Sequence, residues 1–137
     1  MTAPASTAEL LDRFQPIFTR IRENAATHER ARTLPHDEVR ALAEAGFGAL
    51  RLNGVSLATF FEVLIHLGAA DSNLPQIWRN HIAFVEDRLQ PAPEDQNEHW
   101  RKVIAGGALV GGAWSERGNT FGDLRTALSD DNLLSGT

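Results

Sequence analysis

The sequence predicts a mainly α protein: a five-helix amino-terminal bundle over residues 1-105, then the opening strands of an incomplete β domain over residues 106-137. Apolar residues recur at three- and four-residue spacing in stretches before Gly106, each bounded by a capping residue or a proline. After Gly106 the spacing shortens to strand-like runs separated by turn residues. The 137 residues suffice for one ordinary domain and part of a second.

The first helix starts at Ser6, whose spacing to Glu9 makes a capping box, and Leu10, Phe14, Ile17 and Ile21 carry its apolar stripe towards Arg30. Pro16 removes a backbone donor inside it, which predicts a kink there or a true start near Gln15. The second helix starts at Pro35 with Asp37 and Glu38, turns Val39 and Leu42 inward and ends at Gly46, from where Phe47 folds back onto Leu42.

Ser56 caps the third helix, with Val55 and Phe60 as a hydrophobic staple. Its apolar face is Leu57, Phe60, Phe61, Leu64 and Leu67, opposite Glu62 and His66. Asp71-Ser-Asn73 caps the fourth, Pro75 lies in its first turn, and Leu74, Trp78, His81, Ile82, Val85 and Leu89 form the strongest stripe of the chain.

Pro91-Ala-Pro93 breaks the chain before a short fifth helix, Glu94 to Ile104, with Trp100, Val103 and Ile104 inward. Beyond it, Leu109 to Ser115 and Leu124 to Leu128 read as strands, and Asp130-Asp-Asn132 as a turn into Leu133-Leu134. Strands without partners leave open edges, so this last stretch is expected to need more chain or a second subunit.

Thirteen cations stand singly among eighteen anions, for a net charge of -5, and form no basic stripe that could track a phosphate backbone. No nucleic-acid partner is expected. Without cysteine the chain can hold no disulfide, thiolate metal site or thiol nucleophile. No apolar run approaches the roughly 20 residues of a membrane span, and Met1 to Thr7 lacks the make-up of a signal peptide. The expectation is a cytoplasmic protein without a membrane partner.

Glu62 and His66 stand four apart on the third helix, whereas helical di-metal sites pair a carboxylate and a histidine three apart with further acids, so they read as a solvated pair. No metal is expected. His28, His36 and His99 have no acid at a telling spacing and read as surface histidines. His81 interrupts an apolar stripe, where a polar ring must be satisfied. It is either a core histidine bonded to a backbone carbonyl or, with Trp78 and Phe84, the lining of a substrate cavity.

Gly106, Gly107, Gly111 and Gly112 match neither the dinucleotide fingerprint nor the phosphate loop, but they allow a backbone or a flat ring to come close. Ser115 has no histidine at a hydrolase spacing and no nucleophile elbow. The residues by themselves assign no catalytic group.

Taken in order, Leu34-Pro-His-Asp-Glu-Val-Arg-Ala-Leu-Ala-Glu-Ala-Gly-Phe47, Ala70-Asp-Ser-Asn-Leu74, His81 and Gly112-Ala-Trp-Ser-Glu-Arg-Gly-Asn119 resemble the amino-terminal half of the acyl-CoA dehydrogenase superfamily. The resemblance implies a helical first domain, the start of a middle β domain, and flavin, FMN or FAD, held between that domain and a carboxy-terminal bundle this chain lacks. It puts Trp114 and Ser115 against the flavin ring and Trp78, His81 and Phe84 on the side of a small-molecule substrate.

Where the dehydrogenases continue Thr-Glu-Pro, this chain reads Ser115-Glu-Arg-Gly-Asn-Thr-Phe-Gly-Asp123, closer to the flavin monooxygenase branch of the dibenzothiophene monooxygenase type. That branch implies a separate flavin reductase, and the superfamily implies a homo-oligomer. Arg51-Leu-Asn-Gly54 also runs into the third helix without the longer loop usual in the family. The expected function is thus the amino-terminal portion of a flavin-dependent oxidoreductase, a reduced-flavin monooxygenase. An FAD-dependent acyl-CoA dehydrogenase and a non-catalytic helical interaction module are the alternatives.

Overall fold

Ser6 opens the first helix, α1 (Thr7–Ala31), through a reciprocal exchange: its hydroxyl accepts from the Glu9 N–H at 3.3 Å, and the Glu9 carboxylate accepts from the Ser6 N–H at 2.8 Å. The computed structural model of the chain describes residues 5–90, 94–112, 126–131 and 133–135. α1 runs unbroken through Pro16, so the restart expected at Gln15 does not occur. Pro16 and Asp12 both lie on the exposed face, where water can serve the carbonyl that proline leaves without a donor. The buried stripe is Leu10, Phe14, Phe18 and Ile21, with Ile17 at its margin.

After α1 come α2 (His36–Glu44), a short 3₁₀ turn (Phe47–Ala49), α3 (Leu57–Ala70), α4 (Asn73–Leu89) and α5 (Glu94–Ala105). The chain is mainly helical, with these five helices among the described residues. α2 folds back along α1: Asn24 reaches Glu38 near one end, and Arg13 donates to the Ala45 carbonyl near the other. Ser56 caps α3 by accepting from the Thr59 N–H at 3.1 Å, and Asp71 accepts from the Asn73 N–H at 2.8 Å to start α4. Arg51 grips Glu86 through two donors, at 2.6 and 3.2 Å, and so ties the turn before α3 to α4.

α3 faces inward with Phe60, Val63, Leu67 and Ala70. Leu57, Phe61 and Ile65 lie outward, 48%, 51% and 68% exposed, which corrects the expected apolar face. Because α3 is apolar on nearly every side, its periodicity selects no single face. α4 buries Leu74, Trp78, His81 and Val85 along the stripe its sequence marks out.

The core is joined by aromatic rings. Phe47, delivered by the 3₁₀ turn, lies 5.8 Å from Phe14 of α1, 5.9 Å from Phe60 of α3 and 5.0 Å from Trp78 of α4, centroid to centroid. Two glycines seat it. Gly46 adopts a left-handed conformation, φ 79°, and Gly48 leaves the space that His81 and Trp78 occupy.

α5 packs back on α4 through Phe84 and Trp100, 5.2 Å apart, and ends at Gly107, whose φ of 91° turns the chain. Gly107 N–H bonds to the Ile104 carbonyl and Ala108 N–H to the Val103 carbonyl, a Schellman closure. Residues 108–112 carry no strand pairing among the described residues. β1 (Ala127–Leu128) and β2 (Leu134–Ser135) form a short antiparallel pair across the Asp130-Asp131 turn, Ala127 opposite Ser135 and Leu128 opposite Leu134. The expected break at Pro91-Ala-Pro93, the strand portion after Gly112, Leu124 and Asn132 lie outside the described residues.

A methyl group on Gly48 would lie 2.6 Å from His81 Nε2 and 3.0 Å from Trp78 Cζ3. Gly48→Ala is expected to lower unfolding stability by about 1–3 kcal/mol, as overpacking does in a filled core. Denaturant titration checks this, and an unchanged midpoint would show that the turn has slack.

Candidate functional site

Trp114 and Ser115 lie outside the described residues. Of the other three expected site residues, Trp78 and His81 stand together, rings edge-on with centroids 5.3 Å apart and each 1% exposed. Phe84 lies a turn further along α4, half-buried between Trp100 and the Arg88 guanidinium.

Both nitrogens of His81 are engaged. Val110 N–H donates to Nδ1 at 3.1 Å, so Nδ1 is the acceptor and Nε2 carries the hydrogen that it donates to the Gly48 carbonyl at 3.0 Å. Burial pushes the imidazole below its ordinary value of 6.5, opposed in part by the bond to Gly48. The voids at these rings measure about 10 Å³ beside His81 and 20 Å³ beside Trp78. That is room for about one water molecule. His81 here joins the turn after α2 to the segment after α5.

A larger open space than these lies elsewhere among the described residues, a groove of about 570 Å³ between the end of α1, the loop after it and the start of α4. His28, Arg32, Thr33, Asp71, Gln76 and Arg79 line it. His28 corrects the surface reading: Nδ1 lies 2.8 Å from Thr33 Oγ1, and Nε2 lies 3.3 Å from Glu38 Oε1. Glu38, only 4% exposed, also accepts from Asn24 Nδ2 at 3.0 Å, and its Oε2 is buried without a partner among the described residues. Burial pushes the Glu38 carboxyl up, but bonds from Asn24, its own backbone and His28 outweigh that and hold it below its ordinary value of 4.5.

Sequence spacing hides this cluster. Glu38 sits in the first turn of α2, where an acid also serves the helix dipole, and its partners are on another helix. The one available signal was the pairing of Asn24 and His28 four apart, which puts both on one face of α1. Glu62 and His66 are exposed, as are His36 and His99, and no group of three or more metal-ligating side chains occurs among the described residues.

No helix among the described residues is long and apolar enough to cross a membrane. No family model, curated protein or solved structure matches the chain.

The His81 geometry sets a pH dependence. The folded state prefers the neutral ring, so its contribution is complete above about 6.5 and is lost as pH falls from there through the lower folded value. The expected result is a lower denaturation midpoint at pH 5.5 than at 7.5, with the difference reduced in His81→Gln. Equal pH sensitivity in the two proteins would remove His81 as its source.

Proposed function

We propose that this chain is the amino-terminal portion of a flavin-dependent oxidoreductase resembling the acyl-CoA dehydrogenases, a reduced-flavin monooxygenase. The observation that carries the reading is how the helical part meets the segment leading to Trp114 and Ser115. Gly107 closes α5, and Val110 is then fastened to His81 by its backbone N–H. Leu109 and Gly111 stay exposed, and a Cβ on Gly111 would meet nothing within 4 Å among the described residues. An open glycine face beside a fixed backbone is a surface that a flat ring can approach.

The small voids at Trp78 and His81 accommodate no flavin, so the cofactor would lie against the outer side of this segment and not inside the helical core. When bound, reduced flavin supplies the electrons that activate oxygen. Ser115 then has the part of a hydrogen-bond donor to the ring and Trp114 that of a wall against water. His81, neutral and bonded on both sides, holds the backbone that leads to them.

FAD-dependent oxidation of an acyl-CoA is the variant of this reading that leaves oxygen out. Anaerobic bleaching of bound flavin by an acyl-CoA supports it, whereas oxygen uptake driven by a separate flavin reductase supports the monooxygenase.

One observation favours a different class, a helical interaction module. Leu57, Phe61 and Ile65 recur every four residues along the outer face of α3 and are half-exposed or more. A stable, colourless chain that takes up neither FMN nor FAD would favour that reading.

For the flavin reading, titration of a full-length protein that carries the rest of the β domain and the carboxy-terminal bundle with FMN and FAD, followed by quenching of flavin fluorescence, is expected to show binding. Ser115→Ala should weaken it several-fold, about 1 kcal/mol for one hydrogen bond. Unchanged affinity and turnover would remove the role given to Ser115.

A further inference from the structure

We propose that the groove between α1 and α4 is a second reactive site, in which the Thr33 hydroxyl accepts acyl groups from small activated esters with His28 as its base. It shares none of the residues assigned to the flavin face and depends on neither reading of that face.

Three groups stand in series. Glu38 is solvent-excluded and held by Asn24, so its carboxylate fixes Nε2 of His28 as the protonated nitrogen. The lone pair of the neutral ring is then on Nδ1, 2.8 Å from Thr33 Oγ1, and Thr33 donates its hydroxyl hydrogen to it. A hydroxyl bonded to an imidazole that is oriented by a buried carboxylate is the arrangement that activates an otherwise weak nucleophile. Thr33 is exposed and lines the 570 Å³ groove, so the activated oxygen is open to small molecules.

The local backbone supports the same assignment. Thr33 N–H bonds to the His28 carbonyl at 3.1 Å, which places base and hydroxyl on one closing turn of α1. That turn passes through Arg32 at φ 54°, the one non-glycine residue at positive φ among the described residues. Glycine is the usual occupant of such a position, and arginine there keeps a cationic side chain at the groove. Arg32 and Arg79 both line the groove without an ion-pair partner among the described residues and can donate to the oxygen that gains charge.

In the proposed step Thr33 Oγ1 attacks the ester carbonyl carbon while its proton passes to His28 Nδ1. The new C–O bond forms as the bond to the leaving alcohol breaks, and His28 returns the proton to that alcohol. The products are O-acyl Thr33 and free alcohol, with no change of oxidation state. Thr33 and His28 touch the reacting atoms, and Glu38 is a positioning residue. The charged groups around His28 are Glu38 from α2, Glu29 and Arg32 from its own end of α1, Asp71 from the turn between α3 and α4, and Arg79 from α4.

Incubation of the chain with p-nitrophenyl acetate, followed by p-nitrophenol release and tandem mass spectrometry, tests this. Acetyl is expected on Thr33 before Lys102, and His28→Ala is expected to slow it on the order of 100-fold. Thr33→Ser should keep the reaction and Thr33→Val should lose it. In Glu38→Gln the rate should fall on the order of 10-fold or more, and Glu38→Asp, which keeps a carboxylate, should recover part of it. Acetyl resting on His28 or Lys102 with Thr33 unlabelled, or equal Thr33 labelling in His28→Ala, overturns the site. Equal rates in Glu38→Asp and Glu38→Gln overturn the part of Glu38. Labelling of the unaltered chain and of the surface variants decides the matter even where Glu38→Gln does not fold.

Discussion

Phe47 has three helices leaning on one ring, and its own position depends on the residues beside it. Gly46 takes the left-handed conformation that ends α2 and turns the chain inward, and Gly48 leaves its carbonyl reachable by His81. The edge-on contacts of Phe47 with Phe14 and Trp78 each add about 0.5–1.5 kcal/mol beyond the apolar area they remove from water. More important is where they act: α1, α3 and α4 each set an aromatic ring against this one side chain. A three-residue turn thus supplies the ring at the place where the larger helices meet.

His81 extends that constraint from packing to polarity. A buried ring with one nitrogen unused would leave an expensive unpaired group in the core. Here one nitrogen takes the Val110 N–H and the other serves the Gly48 carbonyl, so the tautomer is fixed and the ring stays neutral. The segment after α5 is therefore attached to the middle of the bundle and not merely to the end of its last helix. Whatever follows Val110 inherits that registration, which makes the joint itself part of the proposed flavin reading.

The parts legible in the sequence are those whose chemistry is local. Ser6 with Glu9, Ser56 with Thr59, Asp71 with Asn73 and the glycine after α2 each act within a few residues, and the structure forms each of them. The stripe on α4 was equally plain because polar residues flank it. α3 was not, since its many apolar residues left the choice of face to its neighbours, and Val63 went inward while Leu57 and Phe61 did not. Pro16 left two outcomes open for a related reason: whether a helix continues through it depends on whether water can reach the released carbonyl, a property of the folded surface. Of the His28 cluster the sequence offered only the spacing of Asn24 and His28, because Glu38 stands ten positions beyond His28 across a helix end, a loop and a reversal of direction. Its geometry exists only once α2 lies back on α1.

The core also settles how the molecule emits light. The chain has no tyrosine and three tryptophans, so its ultraviolet emission comes from the indoles of Trp78, Trp100 and Trp114. Trp78 is sealed among Phe47, His81 and Gly48, whereas Trp100 is 37% exposed against Phe84. One fluorophore is thus dry and touches the imidazole, and another is wet and reports on the α4–α5 contact. In Trp114→Phe, opening of α5 and melting of the core are distinguishable by colour in a single spectrum, without a label.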